Sequence, residues 1–184
     1  MEDVLRSRMP HDDDGLLRAA IGGDSETFAE LVRPCLPSAL ATATLVTGSS
    51  ADGADAVQDA LLSAWKGLPS LREPAAFPAW FRRHVVRSGL RLAGKRRRLR
   101  LVDMEAVQPS ENEALEREYG RRLLAEAFDR LEPRDRAILS LRYVSDLPTA
   151  EIAAALGIPE GTVKSRQHAA VQRLRAAYDA EERR

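Results

Sequence analysis

Apolar positions recur along this chain at helical spacing, and two-residue alternation is nowhere sustained. Phe28, Leu31, Val32, Leu36 and Leu40 form a stripe running toward Thr47, with Ser25 placed to cap it and Gly48-Ser49-Ser50 to break it. Pro34 and Pro37 interrupt its middle. Val57, Leu61, Trp65 and Leu68 follow as a second stripe, with Asp55, Gln58, Asp59 and Ser63 on the other side, so this helix is amphipathic with an acidic outer face. After a loop at Pro69–Pro74 comes a third stripe, Phe77, Trp80, Phe81, His84, Val85, Ser88 and Leu92. Phe77 and Trp80 lie on it and read as core.

The back of that third helix is the informative side. Arg83, Arg87, Arg91 and Lys95 succeed one another at i+4 with Arg82 beside them, and Lys95-Arg96-Arg97-Arg98-Leu99-Arg100 extends the run. Cations in such a line repel one another unless a polyanion lies along them. A solvated face normally mixes signs, and here Glu73 is the sole acid between residues 63 and 100.

Residues 101–118 lack sustained periodicity and carry Asp103, Glu105, Glu111, Glu113, Glu116 and Glu118, the composition of a flexible acidic linker. Periodicity resumes with Leu123, Leu124, Ala127, Phe128 and Leu131, and Glu132-Pro133 starts a further helix through Ala137, Ile138 and Leu141. Residues 147–166 then spell two short helices around a tight turn. Ile152 and Leu156 face inward, Gly157 suits the left-handed backbone that ends the first helix, Ile158 and Val163 fill the angle, and Pro159 opens the second. This is a helix-turn-helix, whose second helix presents Glu160, Thr162, Lys164, Ser165, Arg166 and His168 to the major groove. Arg173 and Arg175 read equally well as phosphate contacts or as solvated charges.

The expected fold is therefore all-α: two small helical domains joined by a flexible linker, the C-terminal one holding the helix-turn-helix. Its boundaries fall at 1–24 for an N-terminal extension, 25–100 for the first domain, 101–118 for the linker and 119–184 for the second domain. Composition agrees, with aromatics at 5% and Ala, Leu, Arg and Glu abundant. The formal net charge of zero conceals segregation: residues 1–62 carry −7, 63–100 carry +10, 101–133 carry −5 and 134–184 carry +2. A basic middle between acidic stretches implies a polyanion at one place and a different partner at another.

Other chemistry is thinly represented. No apolar run is long enough to span a bilayer, and the polar, acidic start does not resemble a signal sequence, so a cytoplasmic location is expected. Three scattered histidines and one cysteine give no metal-ligand spacing, and no cofactor motif is present. Cys35, among Leu31, Val32, Leu36 and Leu40, reads as a buried thiol rather than a redox sensor.

Leu131-Glu132-Pro133-Arg134-Asp135-Arg136, Leu141-Arg142-Tyr143 and Gly161-Thr162-Val163-Lys164-Ser165-Arg166 resemble region 4 of the extracytoplasmic-function (ECF) sigma factors. Asp55 to Trp65, then Phe77-Pro78-Ala79-Trp80-Phe81, resemble their region 2. The two matches stand in family order. The resemblance implies a subunit that binds core RNA polymerase, recognises a two-part promoter and melts it. It further implies that Asp55, Gln58 and Asp59 contact the polymerase clamp helices. Residues from Pro69 to Phe77, including Arg72, and the helix after them would read the -10 element, where a flipped base needs a snug pocket and nearby cations such as Arg82, Arg83, Arg87, Arg91 and Lys95. Glu160, Thr162, Lys164, Ser165, Arg166, His168 and Arg173 would serve the -35 element.

The chain departs from the family pattern on the surfaces that face DNA. Arg87 stands where many members carry Asn, Arg91 where they carry Asp, and Gly94 where Arg is usual; Gln167 replaces a common Leu, and Ala169 and Val171 replace common Arg residues. Added cations strengthen sequence-independent phosphate binding rather than specificity. Only Ala176 to Arg184 follow the recognition helix, so control is expected from outside, and the resemblance implies an anti-sigma factor. A helix-turn-helix repressor or activator binding DNA without polymerase is the alternative, but it leaves the basic helix and the Asp55 face idle. A protein that only occupies polymerase leaves the cations unexplained. No pairing of nucleophile with base, Gly-rich phosphate loop or metal cluster supports an enzyme.

Overall fold

The computed structural model describes residues 13–99 and 115–183, with side chains described over 15–95 and 119–183. The expected linker up to residue 114 and the side chains of Arg96, Arg97, Arg98 and Arg100 lie outside the described residues. The helices are α1 (Asp13–Ile21), α2 (Ser25–Val32), α3 (Leu36–Thr47), α4 (Ser50–Gly67), α5 (Phe77–Leu99), α6 (Leu115–Asp129), α7 (Pro133–Leu139), α8 (Thr149–Leu156) and α9 (Glu160–Glu182). Helix α6 thus starts within the segment read as linker.

The first stripe is two helices, not one. Asp24 caps α2, its Oδ1 accepting from the backbone N–H of Glu26 (3.0 Å) and Thr27 (3.3 Å), while Ser25 is the first helical residue. Pro34 lacks an N–H, and the chain passes through a 3-10 turn at Arg33–Cys35 before α3 begins. Beyond this turn the face drawn through Leu36 and Leu40 does not continue inward: both are exposed, and Ala39, Ala43 and Val46 are buried in their place. Helix α3 ends at Gly48, whose φ of 75° is the left-handed conformation that favours glycine. Ser49 then caps α4 through its hydroxyl and the Asp52 N–H.

Helices α1 to α5 share a core in which α4 contributes small residues, Ala56, Ala60 and Ala64, and α5 contributes Phe77, Phe81 and Val85. The N-terminal segment joins in through Leu17 and Ala20. Phe28 meets Trp65 edge-on at 5.0 Å and Phe77 at 6.4 Å, so aromatic rings pin α2 to α4 and α5. Gly53 allows α3 and α4 to approach closely: a Cβ there would lie 2.5 Å from Thr44 Oγ1 and 2.8 Å from Thr44 Cα.

Helices α6 to α9 form the second unit. Leu131, Leu139 and Ala170 are buried together, with Phe128 and Leu174 against them, whereas Leu124 is exposed although it was expected inside. Pro133 occupies the first turn of α7, where a missing N–H costs nothing. A π-helical turn, Ser140–Val144, ends α7, with the Ser145 N–H donating to Ser140 O at 3.0 Å. The helix-turn-helix is formed as its residues dictate. Gly157 ends α8 at φ 67°, and Ile152 and Val163 are fully buried.

The two units touch. Val86 and Leu90 of α5 sit in a cluster whose other members, Leu141, Leu147, Ile152, Ala153, Ala155, Leu156, Ile158 and Val163, all belong to the second unit. Val86 has no exposure at all. Arg136 of α7 reaches Val46 O at the end of α3, Nε at 3.2 Å and Nη2 at 2.9 Å.

Candidate functional site

Helix α4 sets Asp55, Gln58 and Asp59 on one outward side because its inner side is held by alanines against α3 and α5. Asp55 and Gln58 are exposed, and Asp59 is half-buried by an ion pair with Arg91 Nη2 at 2.7 Å. Leu62, one turn on, is 61% exposed, an apolar spot beside an acidic face. Its helical position alone does not mark it, since Leu61 next to it turns inward.

Helix α5 displays its cations unequally. Arg87, Arg91 and Lys95 are exposed, and Arg87, Arg91 and His84 line an open cleft of about 530 Å³ opposite Asp59, Ser63 and Lys66 of α4. Arg72 is exposed in the segment that leads into α5. Arg82 and Arg83 differ. Arg82 Nη1 is 3.2 Å from Glu151 Oε2 of α8, and Arg83 is half-buried, its Nε enclosed without a hydrogen-bond partner.

His84 lies beside this ridge, its ring 4.4 Å from that of Trp80 and its Nδ1 2.8 Å from Ser63 Oγ. Burial, then the nearby charges of Arg87 and Arg83, hold its pKa below the ordinary value. The unfolded chain therefore takes up a proton near pH 6.5 that the folded chain resists, so this group's contribution is present above about 6.5 and is lost as pH falls through the lower folded pKa. His84→Gln should flatten the fall in urea midpoint between pH 7.5 and 5.5; parallel curves for the two chains would refute the assignment. Burial likewise pushes the Cys35 thiol up, against an opposing pull from Arg82, which disfavours a reactive thiolate.

At the start of α9, Glu160, Lys164, Ser165 and His168 are exposed, and Thr162 and Arg166 are half-buried. Ser165 Oγ donates back to Thr162 O at 3.1 Å. Arg166 shares an open cleft of about 550 Å³ with Arg134 and Arg173. Arg173 Nη1 is 2.5 Å from Asp135 Oδ2, and the Asp135 side chain is buried, so this pair braces α9 against α7 and fixes the recognition helix. Gln167 Nε2 donates to Tyr143 Oη at 3.4 Å. Among the described residues no three His, Cys, Asp or Glu side chains converge as a metal would require, and no helix is long and apolar enough to cross a membrane.

Sequence comparison assigns both units. Residues 31–99 match the Sigma-70 region 2 model, and residues 127–176 match Sigma-70, region 4. The chain is 33% identical over 167 residues to the ECF RNA polymerase sigma factor SigM of Mycobacterium tuberculosis, covering 91% of this chain and 85% of that one. The chain belongs to the ECF sigma factors. This sigma factor is also 30% identical over 154 residues to the RNA polymerase sigma-E factor of Streptomyces coelicolor, covering 83% and 86% of the two chains. Among solved structures it resembles CnrH in complex with the cytosolic domain of CnrY, at a TM-score of 0.65 and 26% identity over 91% of this chain and 97% of that one. The sigma factor is a transcription initiation factor, so the reading as a helix-turn-helix repressor is set aside.

Proposed function

We propose that this sigma factor engages core RNA polymerase through Asp55, Gln58 and Asp59 of α4, with Leu62 as the apolar centre of that contact. Arg72 and the cations of α5 hold the -10 strand. Glu160, Thr162, Lys164, Ser165, Arg166 and His168 address the -35 element, and Arg173 both braces α9 and lies open enough to meet a phosphate. The first domain is taken to span 25–100 and the second 119–184, bounds wider than the matched residues 31–99 and 127–176. The protein acts in the cytoplasm, and an anti-sigma factor restrains it; CnrH, with its bound CnrY domain, is the structural parallel.

The observation that carries this reading is the segregation of surfaces. One helical unit bears an acidic face on α4 and a row of exposed cations on α5, and the other presents a helix-turn-helix. The purified chain with core polymerase should start transcripts at a defined promoter; duplex binding without polymerase, and no transcript, would overturn it. Within that assay Arg87→Ala should slow promoter opening while core binding is unchanged. The salt slope should fall by about 0.7 if one single-strand phosphate contact is lost.

A further inference from the structure

The cleft between α4 and α5 holds a titratable group among its fixed cations. His84 stands directly after Arg83 and three residues before Arg87, and its ring is held between Trp80 and α4. Nδ1 lies 2.8 Å from Ser63 Oγ, and the Trp80 ring meets the imidazole edge-on at 4.4 Å. Gly67, one turn beyond Ser63 on α4, leaves both rings their space, since a Cβ there would lie 3.3 Å from Trp80 Cζ2 and 3.7 Å from His84 Cε1. His84 therefore has a defined place in a cleft whose other charged lining residues are Asp59, Lys66, Arg87 and Arg91. Arg91 matches Asp59, which leaves the cleft a net positive charge from Lys66 and Arg87.

We propose that His84 is a proton-dependent phosphate contact, which in its protonated form joins Lys66, Arg87 and Arg91 in holding the backbone of the -10 strand. This contact presupposes that α5 holds that strand, as proposed above. The Ser63 hydroxyl suits the role because it donates to Nδ1 of the neutral ring and accepts from Nδ1–H of the imidazolium, so protonation loses no hydrogen bond. In the free chain a further positive charge is opposed, and burial, then Arg87 and Arg83, hold the pKa low. Other elements packed on α5 do not offset this. Helix α3 and the Pro74–Ala76 turn carry no ionisable side chain, and the acids of α8 and α7, Glu151 and Asp135, are held by Arg82 and Arg173. A phosphate laid in the cleft reverses the balance. It neutralises the neighbouring cations and attracts a proton to His84, so strand binding takes up a proton. The strand is then held more tightly as pH falls from the strand-bound pKa toward the lower one of the free chain.

The test compares holoenzymes reconstituted with the wild-type chain and with His84→Gln at the promoter that the transcription assay defines. Heparin-resistant open complex is measured for each at pH 8.0 and 6.0. Taking the ratio of the two holoenzymes cancels the protons that core polymerase itself takes up. The wild-type-to-variant ratio should rise roughly threefold as pH falls, the effect of about one single-strand phosphate contact at moderate salt. At pH 6.0 the ratio should shrink by a similar factor as salt is raised from about 50 to about 200 mM. A ratio that does not change with pH overturns the proposal. In the wild-type chain, where no variant can misfold, diethylpyrocarbonate should label His84 in the free holoenzyme and lose most of that labelling in the open complex, because a covered, protonated ring is unreactive. Equal labelling in the two states overturns the contact. If α5 does not hold the strand, Arg87→Ala leaves promoter opening unchanged; if the His84 contact alone fails, Arg87→Ala still slows opening while the ratio stays flat with pH.

Discussion

Arg136→Ala should lower the thermal midpoint of the full chain by roughly 6–12 °C, the shift that about 3 kcal/mol produces in a protein of this size. One guanidinium serves two helix ends. Nη1 donates to Asp129 O at 2.9 Å and Leu131 O at 3.0 Å where α6 finishes, and Nε and Nη2 donate to Val46 O where α3 finishes. The last carbonyls of a helix have no partner within it and carry partial negative charge, so a buried cation shared between two such ends is favourable to each. Gly48 lies beside the Arg136 guanidinium and is required there by its left-handed φ of 75° rather than by space, since a Cβ would meet the guanidinium at an ordinary contact distance of 3.5 Å. Removing the guanidinium leaves buried carbonyls without donors, which costs more than the bond itself contributes. Arg136→Lys should recover little, because an ammonium cannot present the planar fork that reaches three carbonyls. Calorimetry checks both, and a loss under about 1 kcal/mol for the alanine variant would show that water replaces the guanidinium.

Arg136 was hard to find in the sequence for a reason that applies widely in this chain. Periodicity marks apolar faces, and it located Val57, Phe77, Phe81, Ile152 and Val163 correctly because burial by neighbours on one side follows helical spacing. A buried charge gives no such signal. Arg136 and Asp135 sit in a run of charged residues, Arg134-Asp135-Arg136, and nothing local shows that two of them turn inward. Two of their partners, Val46 and Arg173, are far along the chain, and Arg136 donates to backbone carbonyls, which leave no mark on side-chain pattern.

Surface chemistry was readable where composition alone carried it. The cation row on α5 and the acidic side of α4 needed only spacing and sign. What spacing could not show is that one side of α5 packs against the second unit. Val86 and Leu90 lie outside the Phe77 stripe, yet they meet the second unit, where Arg82 also pairs with Glu151. The break at Pro34 is a further case. A 3-10 turn at Pro34 separates α2 from α3, and beyond it Leu36 and Leu40 lie outward, an outcome that hydrophobicity along the chain does not signal.

Gly53→Val should impair both the fold and the α4 face proposed to meet polymerase. Alanine alone would place a carbon 2.5 Å from Thr44 Oγ1 and 2.8 Å from Thr44 Cα and N; the hydroxyl can rotate, but the backbone of α3 cannot without moving the helix. Overpacking of this kind costs about 1–3 kcal/mol, against a gain of no more than about 1 kcal/mol from replacing glycine within a helix, so the clash prevails already for Gly53→Ala. Valine adds two methyl groups and should sit at or above the upper end. Because α3 also receives Arg136 through Val46 O, α4 should give way rather than α3. Asp55 lies two residues and Gln58 five residues beyond the clash, on the turns that would tilt. Core-polymerase affinity should therefore fall together with the thermal midpoint, whereas Asp55→Asn should weaken polymerase binding with the midpoint unmoved. Titration of labelled chain with core polymerase, paired with thermal unfolding, separates the two. A Gly53→Ala chain as stable as wild type would mean that α3 and α4 can spread without loss, and the close approach would then have no role in shaping the α4 face.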